Sequence, residues 1–152
     1  REALMDFLLN WDLEGIDLRQ IPRTQALAEQ QLRSLGSVGQ WLYSCLDFGG
    51  IEEPESGGET YLREWPEEYE TKNMFNAYTI FCKRSGLSHP ERVTTFGKAL
   101  KELMPALIKR REGSKTRRSI YLLPKLEQAR KEFEQANKLH SIDWARDDDK
   151  LV

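Results

Sequence analysis

The segment KRREGSKTRRSIYLLP, residues 109–124, is the most informative part of the sequence for the fold class. Its first ten residues contain six basic side chains and one acidic side chain, Glu112, around a Gly-Ser pair. Apolar residues stand on both sides of this pair, and the pattern predicts two strands joined by a tight turn, with Gly113 supplying the positive φ. Like charges this close repel one another, so folding alone would gain nothing from collecting them. We therefore expect a negatively charged ligand opposite this hairpin.

The segment directly before the hairpin, TTFGKALKELMP (94–105), has the spacing of an amphipathic helix. Its inner face has three apolar residues at helical spacing: Phe96, Leu100 and Leu103. One of the two threonines, Thr94 or Thr95, is predicted to cap the helix. Lys98 and Lys101 then lie on the opposite, exposed face.

An earlier helix, near residues 71–84, has an aromatic inner face. Helix, short turn, capped helix and basic β-hairpin is the order of elements in a winged helix-turn-helix. The predicted fold class is therefore mainly α with a small β-hairpin, as a helical cluster followed by a winged helix-turn-helix. In such a fold the second long helix enters the major groove of DNA, while the hairpin, or wing, lies along the backbone or in the minor groove.

Composition and periodicity divide the chain into four predicted regions. Amphipathic patterns over residues 1–48 predict a helical segment. Residues 49–67 are rich in glycine and glutamate and predict a linker or loop. The winged helix-turn-helix occupies residues 68–139, and residues 140–152 form a C-terminal tail. The first residue, Arg1, already lies in a helical pattern, so we expect the chain to be part of a longer protein.

The predicted DNA-binding residues come from the second helix and from the wing. They are Thr94, Thr95, Lys98, Lys101, Lys109, Arg110, Arg111, Lys115, Arg117 and Arg118. Threonine hydroxyls and the amides of a helix N-terminus suit a phosphate, and lysines reach phosphates or guanine edges. Because side chains alternate between the two faces of a hairpin, not all the wing residues can reach one ligand, and Arg111, Lys115 and Arg117 are the preferred candidates.

Other interpretations of the same residues stay open. A basic hairpin can be a solvated surface that keeps the chain soluble or blocks the pairing of an edge strand. Two lysines on an amphipathic helix are also ordinary, and they do not by themselves indicate the reading of bases. The aromatic residues at helical spacing are typical of a core, and only Tyr121, next to the wing, is a candidate for stacking on a base.

Charge is distributed unevenly along the chain, although the net charge is only −2. Residues 1–70 carry 5 Lys and Arg against 15 Asp and Glu, whereas residues 71–131 carry 15 against 4. An asymmetry of this size indicates that the middle of the chain binds a polyanion. It does not choose between DNA, RNA and an acidic protein.

Catalytic and cofactor-binding patterns are absent from the sequence, which has no GxxxxGK[ST], GxGxxG, HExxH or GxSxG motif. Cys45 and Cys82 lack metal-ligand spacing and are predicted to be buried free thiols, which suits a reducing cytoplasm. The acidic run at 147–149 is typical of a frayed tail. No apolar window is long enough to span a membrane. We therefore expect a non-catalytic fragment with no cofactor, no metal and no membrane partner.

Two blocks of the sequence resemble a known family. REALMDFLLNWDLEGIDLRQIPRTQALAEQQ and QWLYSCLDFGGI resemble the segment after the superfamily 3 helicase core in phage, prophage and plasmid primase-helicases. MFNAYTIFCKRSG, TTFGKALKELMP and RRSIYLLPKLEQARKEFE look like the C-terminal winged-helix region of the same proteins. The first block is the more specific, since the second resembles many winged helices.

The resemblance implies a DNA-binding appendage of a replicative motor. In that family a primase or primase-polymerase is joined to a hexameric, ATP-driven helicase, so the implied partners are DNA and the neighbouring subunits of the hexamer. ATP and magnesium are expected only in the upstream parts of the parent protein, and the implied location is the cytoplasm of a bacterial host. The alternative is a protein-interaction module that supports assembly of the helicase ring, because winged helices also serve as docking domains.

Overall fold

The structure of the chain is a computed structural model that describes residues 25–54, 60–87, 89–113, 118–139, 142 and 144. The first predicted amphipathic helix, within residues 1–24, lies outside this part of the chain. Ten elements follow one another in the described part: α1 (Gln25–Ser34), α2 (Ser37–Phe48), β1 (Gly50–Pro54), β2 (Thr60–Glu64), β3 (Glu68–Glu70), α3 (Thr71–Arg84), α4 (Val93–Leu103), β4 (Ile108–Glu112), β5 (Arg118–Leu122) and α5 (Leu126–Ala136).

The described strands form two small antiparallel sheets. β1 and β2 pair with each other, whereas β4 and β5 form the predicted basic hairpin, to which β3 adds on the far side of β5. The order in this larger sheet is β3-β5-β4. The architecture is mixed and mostly helical, which confirms the coarse class predicted from the sequence, although β1, β2 and β3 were not predicted.

The aromatic ring of Phe96, on α4, lies at the centre of the core. It stacks on Tyr78 of α3 with ring centroids 4.8 Å apart, and its centroid lies 5.5 Å from those of Trp41 on α2 and Phe75 on α3. Tyr78 extends this contact, because its hydroxyl accepts a hydrogen bond from the Glu91 N–H and shares another with Ser37. One ring therefore joins three helices and fixes the position of α4 against them.

Helix α2 belongs to the same core as the helices that follow it. Trp41, Leu42 and Leu46 are buried in one cluster with Phe96 and with Phe133 of α5. The guanidinium of Arg130 on α5 donates two hydrogen bonds to the Leu46 carbonyl, at 2.8 and 3.0 Å. Within the described part, the end of the predicted helical segment 1–48 therefore packs directly on the segment 68–139.

The segment predicted as a linker, 49–67, contains β1 and β2, and this prediction was wrong for those residues. α2 ends at Gly49, whose positive φ of 66° turns the chain into β1, and Ile51 is fully buried. Glu53 accepts hydrogen bonds from Tyr61, Tyr69 and Arg63, at 2.6, 2.7 and 3.0 Å. The carboxylate of Glu53 thus connects the β1–β2 hairpin to β3, and these three donors take the place of water molecules as its hydrogen-bond partners.

Part of the predicted C-terminal tail, 140–152, also packs on the core. The Trp144 indole N–H donates to a carboxylate oxygen of Glu134 at 2.8 Å, and its ring lies 5.5 Å from that of Tyr43. Ile142 is half-buried against the same cluster. The other residues of this region lie outside the described part, so the tail stays a prediction there.

Truncation of Phe96 tests the central role of its ring. Phe96→Ala removes a fully buried ring that three helices share, and we expect the free energy of unfolding to fall by about 3–5 kcal/mol. Val93→Ala, at an exposed position on the same helix, should change it by less than about 0.5 kcal/mol. Urea denaturation followed by circular dichroism measures both. A loss below about 1 kcal/mol for Phe96→Ala would contradict the assignment.

The carboxylate of Glu53 should make stability depend on pH. Burial raises the pKa of Glu53, but the hydrogen bonds from Tyr61, Tyr69 and Arg63 outweigh burial and hold the pKa below its usual range. A depressed pKa contributes stability above the pKa of the unfolded side chain, near about 4.3, and that contribution is lost as the pH falls through the folded value. We therefore expect Glu53→Gln to destabilise the chain by about 1–3 kcal/mol at pH 7.

The difference between wild type and Glu53→Gln should shrink as the pH falls below the unfolded value, because protonation makes the wild-type carboxyl neutral, as the glutamine amide already is. Urea denaturation from pH 7 to pH 3 measures it, with Glu64→Gln, on an exposed residue of β2, as control. A gap that stays constant over this range would show that the charge of Glu53 does not stabilise the hairpin.

Candidate nucleic-acid interface

The register of the wing separates its basic side chains into two sets. Lys109 pairs with Tyr121 and Arg111 with Ser119 across β4 and β5, so these side chains share one face of the sheet. Arg110 pairs with Ile120 and lies on the opposite face. The alternation expected from the sequence is therefore present in the described part of the wing.

The face that carries Lys109 and Arg111 also carries Tyr121, whose side chain reaches α4. Gly97 lies on α4 so close to the wing that a Cβ at this position would lie 3.2 Å from the Tyr121 hydroxyl oxygen. The Lys109 ammonium lies over the Tyr121 ring, 5.9 Å from its centroid. Lys98 follows Gly97 on the helix and is exposed. We call Lys98, Lys109 and Arg111 the cationic face.

Arg110 has its charge balanced by two carboxylates. It forms ion pairs with Glu68, at 3.5 Å, and with its neighbour Glu112. Glu68 lies on β3, at the far side of β5, so the pair spans the sheet on its outer face. Lys98 and Arg111, by contrast, form no ion pair with any residue in the described ranges. Two adjacent arginines thus differ in their electrostatic environment.

The ammonium of Lys101 binds carbonyl oxygens at the C-terminal end of its own helix. Its ammonium donates hydrogen bonds to the carbonyl oxygens of Pro105 and Leu107, at 2.6 and 2.7 Å. These carbonyls follow the last turn of α4, where a cation also interacts favourably with the helix dipole. Although Lys101 is exposed, the contacts give it a capping role that the sequence pattern did not indicate.

Thr94 and Thr95 lie in the first turn of α4 and do not cap it. The helix begins at Val93 with Arg92 as the N-cap residue, and no side chain makes the capping hydrogen bond. The prediction that one of these threonines is the cap was therefore wrong by two or three positions. Both side chains are exposed, one turn before Lys98.

Tyr121 does not offer a stacking surface, since only 6% of it is exposed. Its ring belongs to the core cluster and carries the Lys109 ammonium on its outer side. Burial raises the pKa of Tyr121, which keeps its hydroxyl neutral. The interpretation of Tyr121 as a residue that stacks on a base was wrong, and its role is to hold the wing against α4.

The remaining wing residues fall at its tip. Gly113 has a φ of 88°, which confirms the predicted left-handed turn position. Arg118 pairs in register with Glu112, is exposed, and lies on the outer face of the sheet with Arg110. Lys115 and Arg117 lie outside the described residues, so their assignment stays a prediction.

The described residues contain no group of three or more His, Cys, Asp or Glu side chains that would hold a metal ion. Cys45 and Cys82 are free and buried, as predicted, and burial raises the pKa of both thiols, which disfavours the reactive thiolate. Among the helices of the described part, none has the length and apolar character needed to cross a bilayer.

Sequence reasoning missed Gly97 and Glu68. Glycine in the middle of a helix costs about 1 kcal/mol relative to alanine, so Gly97 was itself a signal that another segment approaches closely there. Glu68 gave no comparable signal, because its pairing with Arg110 depends on β3 joining the wing, which no local pattern predicts. Comparison of the chain with models of protein families, with curated proteins and with solved structures gave no match.

Substitution of the two lysines of α4 should have different effects on the free energy of unfolding. Lys101→Met removes two charge-assisted hydrogen bonds to the helix end, and we expect a loss of about 1 kcal/mol in the free energy of unfolding. Lys98→Met keeps a similar aliphatic chain at an exposed position and should change it by less than about 0.5 kcal/mol. Parallel urea titrations check the pair, and equal effects would contradict a capping role for Lys101.

Proposed function

We propose that this chain is a winged-helix module that binds DNA mainly through phosphate contacts. The observation that carries the proposal is the cationic face, where the wing packs on α4 and keeps Lys98 and Arg111 exposed and without an acidic partner in the described part of the chain. A folded chain that keeps unpaired cations on two adjoining elements presents a surface for a polyanion.

The order of the elements supports the winged helix. α2, β3, α3, α4, β4 and β5 follow one another as helix, strand, helix, helix and hairpin, and the sheet has the order β3-β5-β4. β3 thus pairs with β5, on the side of the hairpin opposite the free edge of β4. The helix α4 approaches the wing at Gly97. In this interpretation β1 and β2 are an insertion between the first helix and the first strand.

The separation of charge within the wing supports DNA as the ligand rather than mere solubility of an edge strand. On the outer face Glu68 and Glu112 balance the charges of Arg110 and Arg118, whereas the opposite face of the described wing carries Lys109 and Arg111 with no acidic residue from either wing strand. Including the tip residues, the module has about four to six cations for phosphates, which corresponds to a slope of log affinity against log salt of about −4 to −5.

The resemblance to primase-helicases supplies the biological setting of the proposal. The module holds template or fork DNA while the motor, in upstream parts of the parent protein, uses ATP and magnesium. The module itself carries out no catalysis, and a single weak contact is sufficient if several copies act together in a hexamer.

The alternative function, support of ring assembly, draws on a different surface. Ile108 is 55% exposed on the outer face of the wing, next to the edge of β4. An exposed apolar side chain on an edge strand is suited to contact with a second copy of the chain. Oligomers that form without DNA in analytical ultracentrifugation, together with binding that is insensitive to salt, would favour this alternative over the proposed function.

A comparison of DNA binding by variants of the neighbouring residues Arg110 and Arg111 tests the proposed function. Arg111→Ala should weaken binding to duplex DNA by about 3–10-fold and make the salt slope less steep by about 0.9, because one phosphate contact is lost. Arg110→Ala removes the same charge from the opposite face, and at about 0.15 M salt, where screening acts within about 8 Å, it should have less than half that effect on log affinity. Fluorescence anisotropy measures both, and equal losses would argue against a defined binding face.

A further inference from the structure

We propose that the ligand of the cationic face is duplex DNA of any sequence, bound through its two backbones without stacking on bases or reading of their edges. This inference rests on the proposed function and makes it more specific. It follows from the cationic side chains that α4 and the wing expose, and from the base-reading and aromatic side chains that are missing from their exposed surface.

The exposed positions within α4 hold no Arg, Asn or Gln, the side chains whose paired hydrogen bonds read base edges most specifically in the major groove. Bidentate recognition uses Arg on guanine and Asn or Gln on adenine, and the exposed positions of α4 are Val93, Thr94, Thr95, Lys98, Lys101 and Glu102. The ammonium of Lys101 is held by two carbonyl oxygens. Lys98 is then the one long donor of the helix that remains available, and a lysine binds as a point charge.

Glu102 does not replace these missing readers. A carboxylate can accept a hydrogen bond from cytosine, but helices that read the major groove do so with residues near their N-terminal end. Glu102 is the last residue but one of α4, whereas Thr94 and Thr95 occupy the first turn. Short hydroxyl side chains at a helix start are suited to phosphate oxygens. Apart from the exposed N-cap residue Arg92, the groove-facing end of α4 is thus equipped for the backbone.

The cationic face also lacks the aromatic surface on which single strands stack. Modules that bind single-stranded DNA expose aromatic rings along a basic groove. Here Tyr121 and Phe96 are both buried. The exposed aromatic residues of the described part lie elsewhere: Phe48, 48% exposed, lines a groove between α2 and α3, and Tyr61, 46% exposed, donates to Glu53 on the β1–β2 hairpin.

Two rigidly connected cationic elements then favour a ligand with two backbones. The Tyr121 hydroxyl lies close to Gly97, and side chains of α4 and of the wing belong to one core cluster, so a shared core joins the elements that carry Lys98 and Arg111. A duplex presents phosphates on both sides of each groove at fixed separation, which suits a rigid pair of contacts. A flexible single strand gains no advantage from that rigidity.

The test compares sequences and strand states with the same protein. Fluorescence anisotropy is measured for three duplexes of equal length and different base sequence, and for one strand of each, at two salt concentrations. We expect the duplex affinities to agree within about threefold, since a helix that reads bases loses about fivefold or more for each altered base pair. We expect the single strands to bind at least about tenfold more weakly, because they offer no paired backbones and no ring receives their bases.

Lys98→Met supplies the matched variant. If Lys98 contacts a phosphate, the substitution lowers affinity for all three duplexes by the same factor and makes the salt slope less steep by about 0.9. Lys83→Met, at an exposed position in the last turn of α3, is the control and should change neither quantity measurably. Circular dichroism verifies that both variants are folded.

The outcomes separate this inference from the proposed function. Binding of a single strand as tightly as its duplex, a difference above about tenfold between duplexes, or a Lys98→Met effect confined to one duplex would overturn the inference and leave DNA binding in place. No binding of any DNA at low salt would overturn the proposed function and the inference with it.

Discussion

The stacking of Phe96 on Tyr78 is the contact on which the rest of the structure depends. The ring of Phe96 lies between α2 and α3 and brings α4 against both, at centroid distances of 4.8 and 5.5 Å. Aromatic pairs of this kind add stability beyond their buried area, and their geometry restricts how the helices can shift. The wing is in turn positioned by α4, so the surface that carries Lys98 and Arg111 depends on a ring in the core.

Gly97, the residue after Phe96, is the point at which α4 contacts the wing. Gly97 has no side chain, and the Tyr121 hydroxyl occupies the space where a Cβ would be crowded. The helix propensity that α4 loses at Gly97 is offset by the burial of Tyr121, which also supports the aliphatic chain and ammonium of Lys109. Phe96 and Gly97 therefore have complementary roles. The large ring of Phe96 anchors α4 in the core, and the missing side chain of Gly97 allows α4 to lie close to Tyr121.

The helices and the wing could be predicted because their information is local. Apolar residues at helical spacing gave α3 and α4, and the alternation of a hairpin gave the opposite faces of Arg110 and Arg111. The β1–β2 hairpin could not be predicted in this way, because the glycines and glutamates around it are typical of a solvated linker. Glu53 is instead bound by Tyr61, Tyr69 and Arg63, two of which lie on the facing strand β2 and one on β3. Such contacts depend on tertiary structure, which no local pattern predicts.

Charge on the two faces of the wing has a consequence for how the chain meets a polyanion. Glu68 on β3 both neutralises Arg110 and places an acidic strand beside the outer face, while Arg111 keeps its full charge toward α4. In the proposed function, a phosphate backbone is attracted more to the face of Lys109 and Arg111 than to the balanced outer face, so one orientation is favoured before contact is made. Because that face has few cations, the proposal implies a limited affinity for one copy and a strong dependence on salt. A module of this kind gains most when it is tethered, because effective concentration then raises occupancy without any new contact.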